Sequence, residues 1–218
     1  MTNQPLKRRK GCLFYGCLTL TACFVLFLVL LLAGLYQFRK VVYQYTDSSP
    51  MTLPTLNMSA EQMEAVQRRV ETFKDAVNGG RLTPPLELTA DDINALIQKD
   101  AELKALKGRL YVTGLEDGKG KMAGSVKLGD FGSVVFRNRY LNGTATIGVS
   151  FQNGILGITP EELTTKGKPL PGQVMDKIRS MHIASRVNDD ARASVALNRL
   201  QSIEIRDGKL ILTPKEQH

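Results

Sequence analysis

The chain has 218 residues and a formal net charge of +8, with 29 basic residues, 21 acidic residues and three cysteines. The charge is uneven, because residues 1–50 carry a net of +5 and residues 51–218 a net of only +3. The second segment has no run of basic residues longer than two. Nucleic-acid binding requires clustered cations. We therefore expect no nucleic-acid partner.

An uncharged stretch from Gly11 to Phe38 follows four basic residues at positions 7–10. About 20 apolar helical residues cross the hydrocarbon core of a bilayer. Residues 11–38 are therefore predicted to form a single transmembrane helix. Basic flanks stay on the cytoplasmic side of a membrane. We expect residues 1–10 to be a basic cytoplasmic flank, the C-terminal domain to be extracytoplasmic, and the protein to lie in the cell membrane.

Two alternatives concern the processing of this stretch. A cleaved signal peptide has a shorter apolar core and ends in small residues, whereas this stretch ends in the bulky residues 35–38. Residues 20–23 resemble a bacterial lipoprotein box ending at Cys23, yet the apolar stretch continues beyond it. An uncleaved span is favoured, and lipidation of Cys23 stays open. All three cysteines lie in this stretch, so the remaining chain has no disulfide.

Residues 39–58 are predicted to be a linker, since Pro50 and Pro54 interrupt a polar segment without an apolar period. An α+β domain is expected over residues 59–218. Its first helix begins at a capping box formed by Ser59 and Gln62. Five apolar residues spaced three and four apart place one face of that helix in the core: Met63, Val66, Val70, Phe73 and Val77. A dimerisation helix is the alternative.

A second helix is expected after the short extended stretch 86–89. Thr89 is its predicted N-cap, and Asp91 and Asp92 fall in its first turn. Paired carboxylates can bind a metal or act as an acid and a base. At the start of a helix, however, they are better explained by interaction with the free backbone N–H groups and the helix dipole.

From Arg109 the apolar period changes to two, which indicates strands with one buried face. Two-residue turns are predicted at 117–118, 153–154 and 207–208. Residues 159–162 fit either a capped turn or a bulged strand. Four glycines lie inside the predicted strands, which predicts a curved antiparallel sheet packed with amphipathic helices. Those interior glycines are Gly124, Gly143, Gly148 and Gly157.

The end of the chain alternates between helix and strand. The apolar residues Val174, Ile178, Met181 and Ile183 predict a helix, and a more polar helix is expected over 189–200. The last strands form a hairpin.

Residues typical of catalytic chemistry are missing. The only histidines are His182, in an apolar helical pattern, and His218, at the terminus. There is no nucleophile elbow, phosphate loop, dinucleotide motif or metal-ligand spacing, and residues 118–121 lack the flanking pattern of a phosphate loop. A glycosidase with two carboxylates is still possible, because such a pair cannot be recognised from sequence. We expect no enzymatic activity, no catalytic or metal-binding residues and no cofactor.

The order of segments along the chain resembles that of a known protein family. One span is followed by a helix, by residues 88–97 (LTADDINALI), by long strands, and by residues 140–143 and 167–171. This is similar to single-span bacterial envelope proteins with a tubular lipid-binding-like outer domain. The resemblance implies a curved sheet around a helix with an apolar groove between them. It transfers no individual functional residue.

These observations predict a membrane-anchored, non-catalytic binding module outside the cytoplasm, with lipid or another apolar ligand as its partner. The alternative is a structural or assembly partner of other envelope proteins. Sequence does not separate the two, because a ligand groove and a filled core have the same alternating apolar pattern.

Overall fold

The computed structural model describes residues 12–131, 136–180, 188–189 and 191–215. The chain is α+β and divides into two compact units, one ending at Gln44 and the other beginning at Tyr45. The predictions for Met181, His182, Ile183 and His218 lie outside the described residues.

The first unit is a single apolar helix, α1 (Cys12–Tyr45). The part from Leu18 to Tyr45 is long and apolar enough to cross a membrane, and most of its large apolar side chains are exposed. The helix continues through residues 39–45, which the sequence assigned to the linker. No proline or glycine occurs between Arg39 and Tyr45, so nothing breaks the helix there.

Helix α2 (Ala60–Asn78) begins at the predicted capping box. The Ser59 side chain accepts from the backbone N–H of Gln62, and the Gln62 side chain accepts from the backbone N–H of Ser59. The helix ends at Gly79. Of the predicted apolar face, Met63 is half-buried, and the other four residues are buried in the second unit: Val66, Val70, Phe73 and Val77.

Helix α3 (Ala90–Lys99) follows the short strand β1 (Leu86–Thr89) directly. Thr89 is the N-cap, as predicted. Ala95, Leu96 and Ile97 bury the apolar face of α3. A second core cluster forms beside this helix and contains Ile97, Val112, Leu115 and Ile205.

An antiparallel sheet of five strands follows, in the order of the chain. Its strands are β2 (Leu110–Glu116), β3 (Lys119–Lys127), β4 (Tyr140–Gln152), β5 (Ile155–Thr165) and β6 (Lys168–Pro169). The turns at 117–118 and 153–154 are confirmed, and each has two residues with positive φ. β5 runs through Pro160 with a change of register opposite residues 146–147, so the bulged-strand interpretation is correct.

A separate sheet of three strands has the order β1, β8 (Lys209–Pro214), β7 (Leu200–Arg206). The terminal hairpin is confirmed, but the expectation of one sheet is wrong. The free edge of β2 is not available to another strand at Val112, because the Asn94 side chain occupies both of that residue's backbone hydrogen bonds. The two sheets are linked at the 117–118 turn, where the Gly118 N–H donates to the Ile205 carbonyl.

Two short helices complete the described chain. They are α4 (Gly172–Arg179), which buries Met175, and α5 (Ala191–Asn198), which buries Leu197. The first matches the predicted apolar helix and the second the predicted polar helix.

Candidate functional site

An apolar groove of about 880 Å³ lies within the second unit. Four groups of elements contribute to it: α2, the three-stranded sheet, the paired strands β4 and β5, and α5. Apolar side chains make up most of its lining, among them Phe73, Leu88, Leu156, Ala196 and Leu212. Volumes of about 300–1,000 Å³ are typical of small-molecule sites.

The periodicities of the elements explain why apolar side chains meet in the groove. Val70, Phe73 and Val77 are spaced three and four apart on α2, so they share one helix face. Leu86 and Leu88 lie on the same face of β1, because alternate residues of a strand point the same way. The groove is therefore lined by faces that the sequence predicted as core.

Polar side chains are few in the lining of the groove. Lys74 and Asn78 lie one turn apart on α2, and Glu102 follows α3; all three are exposed. Such a lining can hold an apolar chain and offers polar contacts to a headgroup.

Two side chains secure the segments beside the groove. The Arg199 guanidinium donates to the carbonyl oxygen of Val77 at 2.7 Å and to that of Asn78, which joins the end of α5 to the end of α2. The Asn188 carboxamide makes two bonds to the backbone of Leu156, accepting from its N–H at 3.1 Å and donating to its carbonyl at 2.8 Å. Leu156 is a lining residue.

A polar cluster holds the segment that follows α1 against the five-stranded sheet. Asp47 and Tyr140 exchange backbone hydrogen bonds of 2.8 and 2.9 Å. The Lys166 ammonium lies 2.9 Å from the Asp47 carboxylate, and its hydrogen bond is the main reason that the pKa of Asp47 is lowered. The Asn142 side chain donates to Asp47 and to the Ser49 carbonyl. Residues 47–49 of the predicted linker are thus bound to β4.

The paired acids of the sequence have structural roles. The Asp92 carboxylate accepts from the Thr89 N–H at 2.9 Å and from Arg69 at 2.8 Å, so it closes a capping box and joins α2 to α3. Asp91 is exposed on the first turn of the same helix. This is the structural interpretation that the sequence favoured.

Residues 118–121 form the turn between β2 and β3 and the start of β3. Lys119 pairs with Glu161 at 2.7 Å, and Lys121 pairs with Glu116 at 2.6 Å. Within the described part of the chain, no group of three His, Cys, Asp or Glu residues is arranged to hold a metal ion.

No protein-family model matches this chain, and no curated protein or solved structure matches it. Its function is therefore argued from its own geometry. The resemblance implied an apolar groove between a sheet and a helix, but the sequence did not identify the residues that line it or the cluster at Asp47. Both depend on which elements meet, and the only signals in the sequence were the alternating apolar positions and the asparagines, which occur in many folds.

Proposed function

We propose that the chain is a single-span membrane protein whose second unit is a non-catalytic binding module for the acyl chain of a lipid. In this proposal α1 crosses the membrane with its N-terminus in the cytoplasm, and residues from Tyr45 onward lie outside the cytoplasm. The acyl chain occupies the apolar groove between α2, the sheets and α5.

The groove is the observation that carries this proposal. Its volume of about 880 Å³ lies within the usual range of ligand sites, and its lining is mostly apolar. Burial of apolar surface contributes roughly 25 cal/mol per Å², so an acyl chain gains affinity from such a lining without any charged contact. The chain also carries a helix long and apolar enough to cross a membrane, and a protein anchored by it would have lipid close at hand.

A curved five-stranded sheet is part of the proposal. The pairing of β2 with β3 changes register between Val112 and Gly114 of β2. The pairing of β4 with β5 changes register between Thr146 and Ile147 of β4. Bulges of this kind bend a strand and increase its twist. In this proposal the curvature brings Val149 of β4 and Leu156 of β5, both lining residues, toward α2.

The alternative is an assembly partner in the envelope. The apolar face of α2 is not free for such a contact, because four of its residues are buried within the same unit: Val66, Val70, Phe73 and Val77. A partner would have to use another surface, such as a sheet edge. The binding module is therefore the better-supported function.

Photo-crosslinking of the full chain tests the proposal. The chain is reconstituted in vesicles that contain a phospholipid with a diazirine near the end of its acyl chain, irradiated and digested. We expect crosslinked peptides from the groove, with Leu156 and Ile158 among the modified residues, besides those from α1. Crosslinks confined to α1 would contradict an acyl chain in the groove.

A further inference from the structure

One end of the five-stranded sheet is basic at every strand. Arg109 precedes β2, Lys127 ends β3, Arg139 precedes β4, Lys166 follows β5 and Lys168 begins β6. These positions are adjacent, because β2 to β6 pair in order and antiparallel. With Arg137, which lies in the turn before β4, they make up what we call the basic end.

The basic end has more cations than its own acids neutralise. Arg109 pairs with Asp130 at 2.7 Å, and Lys166 pairs with Asp47 at 2.9 Å. Three further cations make no ion pair with any residue in the described ranges, and two of them are exposed while the third is half-buried. They are Arg137, Lys168 and Lys127.

The opposite end of the sheet is different in charge. β2 ends at Glu116 and is followed by Asp117, and β4 ends at Gln152 and is followed by Asn153. Lys119 at that end is paired with a carboxylate, Glu161. The excess of cations is therefore confined to one end of the sheet.

The chain enters the sheet at the basic end. Asp47 comes two residues after the end of α1 and pairs with Tyr140, which is also the partner of Lys127. Two extended residues span at most about 7 Å. The helical residues 39–45 carry the chain at most about 10 Å beyond Phe38. The basic end is therefore joined to the end of α1 by a short stretch of chain.

We propose that this basic end binds the anionic headgroups of the membrane that α1 crosses. The inference rests on the part of the proposed function that places α1 in a membrane, and it is independent of whether lipid enters the groove. Headgroup layers extend roughly 5–8 Å beyond the hydrocarbon on each side. The attraction of cations to an anionic surface acts within a Debye length of about 8–10 Å. Lys127, Arg137 and Lys168, which make no ion pair with a described residue, are the cations of the basic end that this contact would use.

Fluorescence quenching on the full chain tests this contact. The three native cysteines, all in α1, are replaced by serine, and a fluorophore is attached at Asn138→Cys, beside the basic end, or at Gln152→Cys, at the opposite end. Both residues are exposed. The chain is reconstituted in vesicles of equal parts phosphatidylglycerol and phosphatidylcholine, or of phosphatidylcholine alone, with a nitroxide on a fraction of the headgroups.

We expect anionic vesicles to quench the label at residue 138 more than neutral vesicles do, and more than either quenches the label at residue 152. Added salt should reduce the difference. The triple variant K127Q/R137Q/K168Q should abolish it, because each cation near an anionic surface changes the equilibrium by about fivefold, or on the order of a hundredfold for three.

The matched control removes three exposed cations elsewhere, as R81Q/K99Q/K177Q, and should keep the quenching. Equal quenching in both vesicle types, or equal loss in both triple variants, would overturn the proposal. Equal melting temperatures of the two variants show that both fold. Co-flotation of the chain with vesicles in high salt tests membrane insertion of α1 alone, and the photo-crosslinking tests the acyl chain in the groove. A failure of the headgroup contact can therefore be told apart from a failure of the proposed function.

Discussion

The side chain of Asn94 makes both backbone hydrogen bonds of Val112. Its amide nitrogen donates to the Val112 carbonyl at 2.8 Å, and its oxygen accepts from the Val112 N–H at 2.8 Å. Both residues are buried. A side chain on α3 thus takes the place that another strand would have beside β2. The Asn188 side chain likewise makes two hydrogen bonds to the backbone of Leu156 in β5. In both strands a carboxamide side chain thus pairs with the backbone as a neighbouring strand would.

Asn94→Ala should lower the free energy of unfolding of the second unit by about 2–6 kcal/mol. The reason is that two buried backbone groups lose their partners, and each unsatisfied group costs about 1–3 kcal/mol. Denaturant unfolding measures the loss, and hydrogen exchange at Val112 should accelerate with it. Gln98→Ala, on an exposed position of the same helix, is the control. Equal stability of the two variants would show that the Asn94 bonds contribute nothing.

Local signals in the sequence were sufficient for the helices and hairpins. The capping boxes at Ser59 and Thr89 and the turn at Asn153 depend on residues close in the chain, and the structure has all three. The pairing of β1 with β8 was not predictable in this way, since residues 86 and 212 meet only in the folded chain. The groove shares this difficulty, because its lining comes from elements distant in sequence.

Close backbone approach at an interior glycine is the basis of another prediction. A Cβ at Gly143 would lie 2.1 Å from the Thr164 carbonyl oxygen, so β4 and β5 would have to separate. Gly143→Ala should cost about 1–3 kcal/mol of stability, as overpacking does. At Gly114 the nearest atom to an added Cβ is 4.0 Å away. Gly114→Ala should therefore be neutral in the same unfolding measurement, and a neutral Gly143→Ala would disprove the crowding.

The contribution of Asp47 should depend on pH. The Lys166 hydrogen bond lowers the pKa of Asp47 in the folded chain below its ordinary value of 3.8. The folded state therefore favours the ionised carboxylate, and the resulting stability is fully present above pH 3.8 and is lost as the pH falls through the lower folded pKa.

The contribution of the Asp47 carboxylate to stability is measured by comparing the unfolding free energies of the wild type and Asp47→Asn from neutral to acidic pH. The difference between them should be constant from neutral pH down to about pH 5 and shrink below the ordinary pKa. Asp91→Asn, at an exposed carboxylate, is the control. A difference that grew as the pH fell would contradict the sign.

A charged substitution tests whether the apolar face of α2 is part of the core. Val70 is 8 % exposed and packs in one core cluster with Val66 and Phe73. Thr72, on the same helix, is exposed. Val70→Asp should destabilise the second unit by at least about 3 kcal/mol, because an unpaired charge is buried. Thr72→Asp should change stability by less than about 0.5 kcal/mol. Similar values for the two variants would place the Val70 face outside the core.

Filling the groove should prevent it from holding an acyl chain. Ala196 is a half-buried lining residue of α5, and its neighbour Val195 is 51 % exposed. Ala196→Trp adds a large side chain to the space that the ligand would occupy, while Val195→Trp adds the same side chain outside the lining. We expect diazirine lipid to label β5 peptides at least about tenfold less in Ala196→Trp, because steric exclusion costs more than the 1.4 kcal/mol that a tenfold change represents.

Labelling of α1 should be equal in both tryptophan variants and in the wild type, and it serves as the internal reference. A groove that is empty in the native protein predicts a different result: Ala196→Trp would raise the stability of the second unit by filling a cavity, and β5 would be labelled weakly in every variant. If β5 is labelled strongly in the wild type and neither tryptophan substitution reduces that labelling, the lipid lies elsewhere on the second unit. Loss in Ala196→Trp alone assigns the acyl chain to the space between α2 and α5.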